Sequence, residues 1–133
     1  FFNQRKNHSH ISLFKGSHGY EDGEQRRDFI HVDDTIKVKN WFKQNPAISG
    51  IYNVGTGASR TFNDIAVCVL DYYKNEDPNA VMSYIDFPEG LEDQYQAFTE
   101  ADMSLLKSKG YNESFTSLEK GVKLYLDWLS KNI

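Results

Sequence analysis

Apolar residues recur along this chain with two different spacings. Four short runs are rich in β-formers and bounded by Gly, Asn, Asp or Pro on at least one side: Ile11 to Phe14, Asp28 to Val32, Ile51 to Val54 and Val81 to Phe87. Each predicts a strand. Between and after them the spacing becomes helical. Thr61 is placed to cap a helix with Asp64 at its third position, and Phe62, Ile65, Ala66, Val69, Leu70 and Tyr73 then fall on one face. Near the end, Thr116 and Glu119 have the spacing of a capping box ahead of Leu118, Val122, Tyr125, Leu126 and Leu129. Asp33 and Asp34 suit the start of a helix carrying Ile36, Val38, Trp41 and Phe42, which must stop before Pro46 because the residue preceding proline avoids helical angles. A further helix is predicted over Thr99 to Lys109, with Asp102 in its first turn and Gly110 as a left-handed cap. Gly16 to Arg27 reads as a long polar loop. Strands alternating with helices predict an α/β fold, a small mixed sheet with about four helices.

With 133 residues, 39% of them hydrophobic and 14% aromatic, the chain has enough apolar surface for one core and too much for a disordered tail. The formal charge of -4 argues against a general electrostatic grip on nucleic acid or an anionic membrane, so neither is expected as a partner. Cys68 stands alone, which leaves no intramolecular disulfide framework and makes the cytoplasm the default compartment. No apolar run approaches the ~18 residues of a spanning helix, and no signal-peptide layout is present. The chain opens on Phe1-Phe2 without an initiator methionine, followed by a polar run to His10, as though entering near the end of an amphipathic helix. That opening reads as a fragment or a processed product.

Several constellations bear on chemistry. The run Val54-Gly55-Thr56-Gly57-Ala58-Ser59-Arg60 joins a predicted strand to a predicted helix, a place where backbone amides can hold phosphate. Arg60 stands where a dinucleotide fingerprint needs its third glycine, so a tight turn is the preferred reading and no cofactor residue is expected here. Arg26 and Arg27 enter the run Asp28 to Val32, where a guanidinium fork is suited to a diphosphate, or equally to a surface pairing with Asp28 or Glu24. His8, His10, His18 and His31 with Asp33 and Asp34 have poor spacing for a metal, and none is expected. Tyr95-Gln96-Ala97-Phe98 follows the Pro88-Glu89-Gly90 turn and could project binding side chains, although Phe98 could equally plug the helix entry. No Ser/His/Asp or Cys/His arrangement suggests a nucleophile, since Cys68 lies beside a buried stripe. The N-x-S matches at Asn7 and Asn112 carry no meaning without secretion.

Phe14-Lys15-Gly16-Ser17, then Arg27-Asp28-Phe29-Ile30-His31-Val32-Asp33-Asp34, then Tyr52-Asn53-Val54-Gly55-Thr56-Gly57 follow the order found in carboxyl-terminal halves of extended short-chain dehydrogenase/reductases acting on nucleotide sugars. The block Tyr95 to Asp102, with Gly110-Tyr111 and the ending from Gly121 to Leu129, narrows the resemblance to the bacterial ADP-glyceromanno-heptose 6-epimerase family. The resemblance covers nearly the whole chain. It implies that residues 1–133 are the substrate-binding portion of such an isomerase. The Rossmann domain, with its glycine fingerprint, Tyr-x-x-x-Lys pair and further catalytic Lys, would precede Phe1, and residues 28–57 would pack against it.

In this family NADP transiently oxidises C-6″ of ADP-heptose and returns the hydride to the opposite face, a step toward the lipopolysaccharide core in the bacterial cytoplasm. For this chain the resemblance implies ADP-heptose as partner, NADP held mainly elsewhere, a homo-oligomeric intact enzyme, and no catalytic residue or turnover in these residues alone. Carried over by position, Phe14, Lys15, Gly16 and Ser17 match the segment lining the ADP-heptose site, Arg27 the diphosphate-binding arginine, and Tyr95 a tyrosine at the substrate. The chemistry agrees, because a nucleotide sugar offers a diphosphate to Arg27, an aromatic base to Phe14 and hydroxyls to Tyr95. A non-catalytic nucleotide-sugar-binding module and a different sugar-nucleotide epimerase or dehydratase are the alternatives. If a second domain normally covers residues 28–54, then Phe29, Ile30, Val32, Ile51, Tyr52 and Val54 should be uncovered in the chain by itself.

Overall fold

A computed structural model describes Phe1, residues 3–4 and residues 9–132. Phe2, Asn7 and His8 of the opening stretch therefore lie outside the described residues. Among the described residues, β1 (His10–Phe14) pairs in parallel with β4 (Val81–Ile85), His10 opposite Val81 and Phe14 opposite Ile85. A two-residue antiparallel pair joins β2 (Arg26–Arg27) to β3 (Arg60–Thr61). The helices are α1 (Val32–Gln44), α2 (Phe62–Tyr73), α3 (Ser104–Ser108) and α4 (Leu118–Asn132), with a 3-10 turn at Glu92–Gln94. The mixed α/β character and the four helices match the expectation, with parallel and antiparallel pairing divided between two two-stranded sheets.

Alternation along β1 buries Ile11 and Leu13 on one side, where Ala66, Val69 and Tyr73 of α2 and Leu126 and Leu129 of α4 close over them. The cap predicted for α2 is present in full: Thr61 Oγ1 accepts from the Asp64 amide at 3.0 Å, and the Asp64 carboxylate accepts from the Thr61 amide at 3.0 Å. A second core unites Val38 of α1 with Met103, Leu106 and Tyr111, and Trp41, Phe42 and Tyr52 pack against it.

Four expectations are corrected. The run Asp28 to Val32 is no strand, because pairing stops at Arg27 and His31 begins α1, its Nδ1 accepting from the Asp33 amide at 3.3 Å. Ile51 to Val54 has no ladder partner among the described residues and stays irregular, with Ile51 95% exposed. The helix predicted from Thr99 shrinks to Ser104–Ser108 because the chain from Ala97 to Ala101 runs alongside β2, with Phe98 bridged to Arg26. Thr99 donates to the Arg26 carbonyl, Ala101 donates to the Asp28 carboxylate, and Asp102 caps the amide of Ser104 instead. Finally, α4 starts one residue late: Ser117 Oγ accepts from the Lys120 amide, while the Thr116 amide is drawn to Asp34 at 2.7 Å. Gly110 does take the left-handed conformation expected of it, with φ +102°.

Candidate nucleotide-sugar site

Successive residues of a strand face opposite ways, and that separates the two arginines of β2. Arg26 turns toward β3, donating from Nη2 to the Ser59 carbonyl at 2.6 Å and from Nε to Ser59 Oγ at 3.2 Å. Its own amide donates to the Ala97 carbonyl at 2.8 Å, which completes its structural anchoring. Arg27 turns the other way. Its guanidinium carbon lies 5.1 Å from the centre of the Tyr95 ring and 5.8 Å from that of Phe62, within the range of a cation–π contact. Its guanidinium donates to the Arg26 backbone carbonyl at 2.9 Å and meets no carboxylate among the described residues. A surface pairing with Asp28 or Glu24 does not occur, since Asp28 accepts from backbone amides and a hydroxyl, and Glu24 from Asn63 at 2.6 Å.

Tyr95 links Arg27 to an aromatic cluster. Its ring meets Phe14 edge-on at 5.8 Å and Phe87 at 5.0 Å, while Phe14 and Phe87 stack at 4.4 Å. Burial raises the pKa of the Tyr95 phenol above its ordinary value, and the Arg27 charge only partly offsets this, so the hydroxyl stays neutral. Phe87 was not among the expected site residues. Its place follows from the strand register, because Ile85 lies opposite Phe14 and alternation carries the same side of the chain to Phe87.

Lys15, Gly16 and Ser17 do something different. Lys15 pairs with Asp86 at 2.9 Å, a hydrogen bond that holds its ammonium pKa above the ordinary value. The Gly16 amide donates to Asp22 at 2.7 Å, and a Cβ on Gly16 would run into the Tyr20 carbonyl. Ser17 is buried beside Gln25, whose amide nitrogen also binds the Lys15 carbonyl at 2.8 Å. These three residues line an open groove of about 890 Å³ whose rim includes Glu21, Asp22 and Glu24. Phe14, Arg27 and Tyr95 are thus brought together, whereas Lys15 to Ser17 face an acid-rimmed groove next to them. Phe98 is half exposed and plugs nothing; its backbone bridges to Arg26.

The glycine turn carries an unexpected occupant. Asp28 Oδ1 accepts from the Thr56 amide at 2.7 Å and the Thr56 hydroxyl at 2.6 Å, and Oδ2 accepts from the amides of Gly57 at 2.9 Å and Ala101 at 3.1 Å. Burial pushes this carboxyl up, but the bonds from Thr56, Ala101 and Gly57 outweigh it and hold the group below the ordinary carboxylate range. A dinucleotide pyrophosphate would need these same amides, so the turn does not fit one. Among the described residues no group of three or more His, Cys, Asp or Glu is arranged to hold a metal, and no helix is long and apolar enough to cross a membrane.

No family model matches the chain. It is 45% identical over 127 residues to an ADP-L-glycero-D-manno-heptose-6-epimerase of Alkalilimnicola ehrlichii, an alignment covering 96% of this chain and 38% of that one. The enzyme of the same name from Thiobacillus denitrificans is 40% identical over 140 residues, covering 97% and 42%. Among solved structures, the Helicobacter pylori ADP-L-glycero-D-manno-heptose-6-epimerase superposes with a TM-score of 0.68 at 24% identity over 96% of this chain and 34% of that one. A GDP-mannoheptose C4 reductase from Campylobacter jejuni with NADP bound matches with a TM-score of 0.63 at 20% identity, over 91% and 32%. The chain spans about two-fifths of the length of the curated relatives it matches. Over nearly all its residues it is therefore similar to part of the ADP-L-glycero-D-manno-heptose-6-epimerases, and its fold is that of a portion of the extended short-chain dehydrogenase/reductase enzymes.

Proposed function

We propose that this chain is the substrate-binding portion of an ADP-L-glycero-D-manno-heptose 6-epimerase, in which Arg27 holds the diphosphate of ADP-heptose and the cluster of Phe14 and Tyr95 packs against its flat or hydroxylated parts. The observation that carries this reading is the state of Arg27. It is a half-buried guanidinium with no carboxylate partner among the described residues, set over an aromatic ring at the edge of a ring cluster. Such a group satisfies its remaining donors best with a bidentate anion. Lys15, Gly16 and Ser17 shape the neighbouring groove, which belongs to the same site in this reading.

Redox chemistry at C-6″ would be NADP's contribution. The residues here do not fit that cofactor at the glycine turn, which supports the reading that polypeptide outside these 133 residues would bind it and that these residues alone should not turn substrate over. The surface of residues 28–57 would pack against that polypeptide. Support comes from exposure, since Val32, Ile51 and Val54 are exposed and Phe29, Ile30 and Tyr52 are only partly covered. The intact protein would be a homo-oligomeric enzyme of the bacterial cytoplasm serving lipopolysaccharide core synthesis.

Titration of the intact protein with ADP-heptose tests the assignment. Arg27→Ala should lose about 1.5–3 kcal/mol of binding, the usual worth of hydrogen bonds to a charged group, or roughly ten- to hundredfold in Kd. Arg26→Ala should lower stability and cost less affinity than Arg27→Ala, because its donors are spent on Ser59. A larger affinity loss at Arg26 than at Arg27 would overturn the assignment.

A further inference from the structure

Asp28 follows Arg27 directly, yet its carboxylate forms no ion pair among the described residues. All of its hydrogen-bonding goes to the turn of residues 56–57 and to Ala101. Those four bonds reach two pieces of chain that are far apart in sequence. One is the glycine turn. The other is the segment that begins at Tyr95, whose ring lies against the Arg27 guanidinium. Gly55 is part of the same fit, because a Cβ there would overlap both the Asp28 carboxylate and the Ala101 side chain. On the far side of Arg27, Arg26 is tied by its side chain to Ser59 and by its backbone to Ala97 and Thr99. Arg27, whose backbone pairs with Arg60 while its guanidinium has no carboxylate partner among the described residues, thus lies between two residues whose side chains are tied down, and both of these also hold the segment carrying Tyr95.

We infer that Asp28 is a positioning residue for ligand binding: its carboxylate, gripped by the turn at Gly55 to Gly57 and by Ala101, sets the Arg27 guanidinium against Tyr95 in the arrangement that receives a diphosphate. This rests on the reading of Arg27 given above. The glycine turn then serves the ligand at one remove. Its amides bind no phosphate; they bind the side chain that orders the phosphate-binding residue. Ordering an arginine before the ligand arrives removes part of the entropic cost of binding, and a guanidinium held by rigid neighbours discriminates geometry better than a free one.

The experiment is a double-mutant cycle on the intact protein, with ADP as the titrant. Asp28→Asn keeps the size of the side chain but turns an NH₂ group toward amides that need an acceptor. It should weaken ADP binding about tenfold or more, and it should add no further loss when Arg27 is already Ala. Equal losses in both backgrounds would mean that Asp28 supports the fold at large, and the inference would fall. Unchanged affinity in Asp28→Asn would overturn it too. If Arg27→Ala leaves ADP affinity intact, the diphosphate reading fails first, and that result is separable because it does not involve Asp28. Should Asp28→Asn fail to fold, Thr56→Val removes only the hydroxyl bond at 2.6 Å and should weaken ADP binding several-fold. Thr56→Ser should retain normal affinity, and equal behaviour of the two Thr56 variants would contradict the inference.

Discussion

Two neighbouring guanidiniums meet opposite fates here because a pleated backbone sends one inward to Ser59 and the other outward to Tyr95. Carboxylates are sorted at the same scale. For Asp28 and Asp34 burial pushes the carboxyl up, but hydrogen bonds, from Thr56, Ala101 and Gly57 in one case and from Lys37 and Thr116 in the other, bring it below its ordinary value. For Asp64 the Arg60 hydrogen bond leads in the same direction. A carboxyl with a depressed folded-state pKa contributes stability that is present above the unfolded value, about 3.9, and is lost as pH falls through the folded value. Urea midpoints should therefore stay level from about pH 7 to pH 5 and drop below about pH 4, with a shallower drop in Asp28→Asn. A midpoint that rises on acidification would contradict this. The sequence showed that Asp28 adjoins Arg27, but it could not show that the partners of this carboxylate lie 28 and 73 residues away.

At the scale of elements, local signals and non-local hydrogen bonds compete for the same stretches of backbone. Where distant bonds reach only the amides that a helix start leaves free, the local signal prevails: Phe62 and Asn63 donate to the Gln25 and Gly23 carbonyls, and α2 still begins at the Thr61 box as its spacing predicts. Thr61→Ala should lower stability by about 1 kcal/mol, within the ~0.5–2 kcal/mol seen when such caps are removed, and chemical denaturation would measure it. Thr61→Ser, which keeps the oxygen, should cost far less. Where distant groups draw the chain itself out of helical shape, the local signal loses. The stretch from Ala97 to Ala101 is bridged to Arg26 and tied to Asp28, so the helix written there starts only at Ser104. Asp34 draws the Thr116 amide in the same way, and α4 starts from Ser117.

Across the whole molecule, two small cores are joined by the strand pair at Arg26 and Arg60 and by the Asp28 carboxylate. Beside them lies an apolar groove of about 820 Å³, lined by Phe29, Ile30, Val32, Ile65, Val122 and Tyr125 among others. Val32 is 64% exposed at its rim and Tyr125 57%, and contiguous uncovered apolar surface of this kind marks an interface. The 133-residue chain on its own should therefore self-associate, and sedimentation velocity over a concentration series would show it. Val32→Asp, at an exposed position, should shift the chain toward monomer without unfolding it. A chain that stays strictly monomeric at every concentration would remove the case for a covering domain.

What the sequence determined by itself is what depends on neighbours a few positions apart. This covers the three long helices, the two strands of five residues and the left-handed Gly110, while Phe14, Arg27 and Tyr95 were named by resemblance and it is the fold that brings them together. Only the tertiary structure decided which arginine is free, where the shortened helix starts, that Phe87 joins the ring cluster, and that the glycine turn encloses Asp28. The physical reason is common to all four. Periodicity reports which face of an element is apolar, whereas the choice of partner for a backbone amide or a guanidinium is made by groups that only the folded chain brings within about 3 Å.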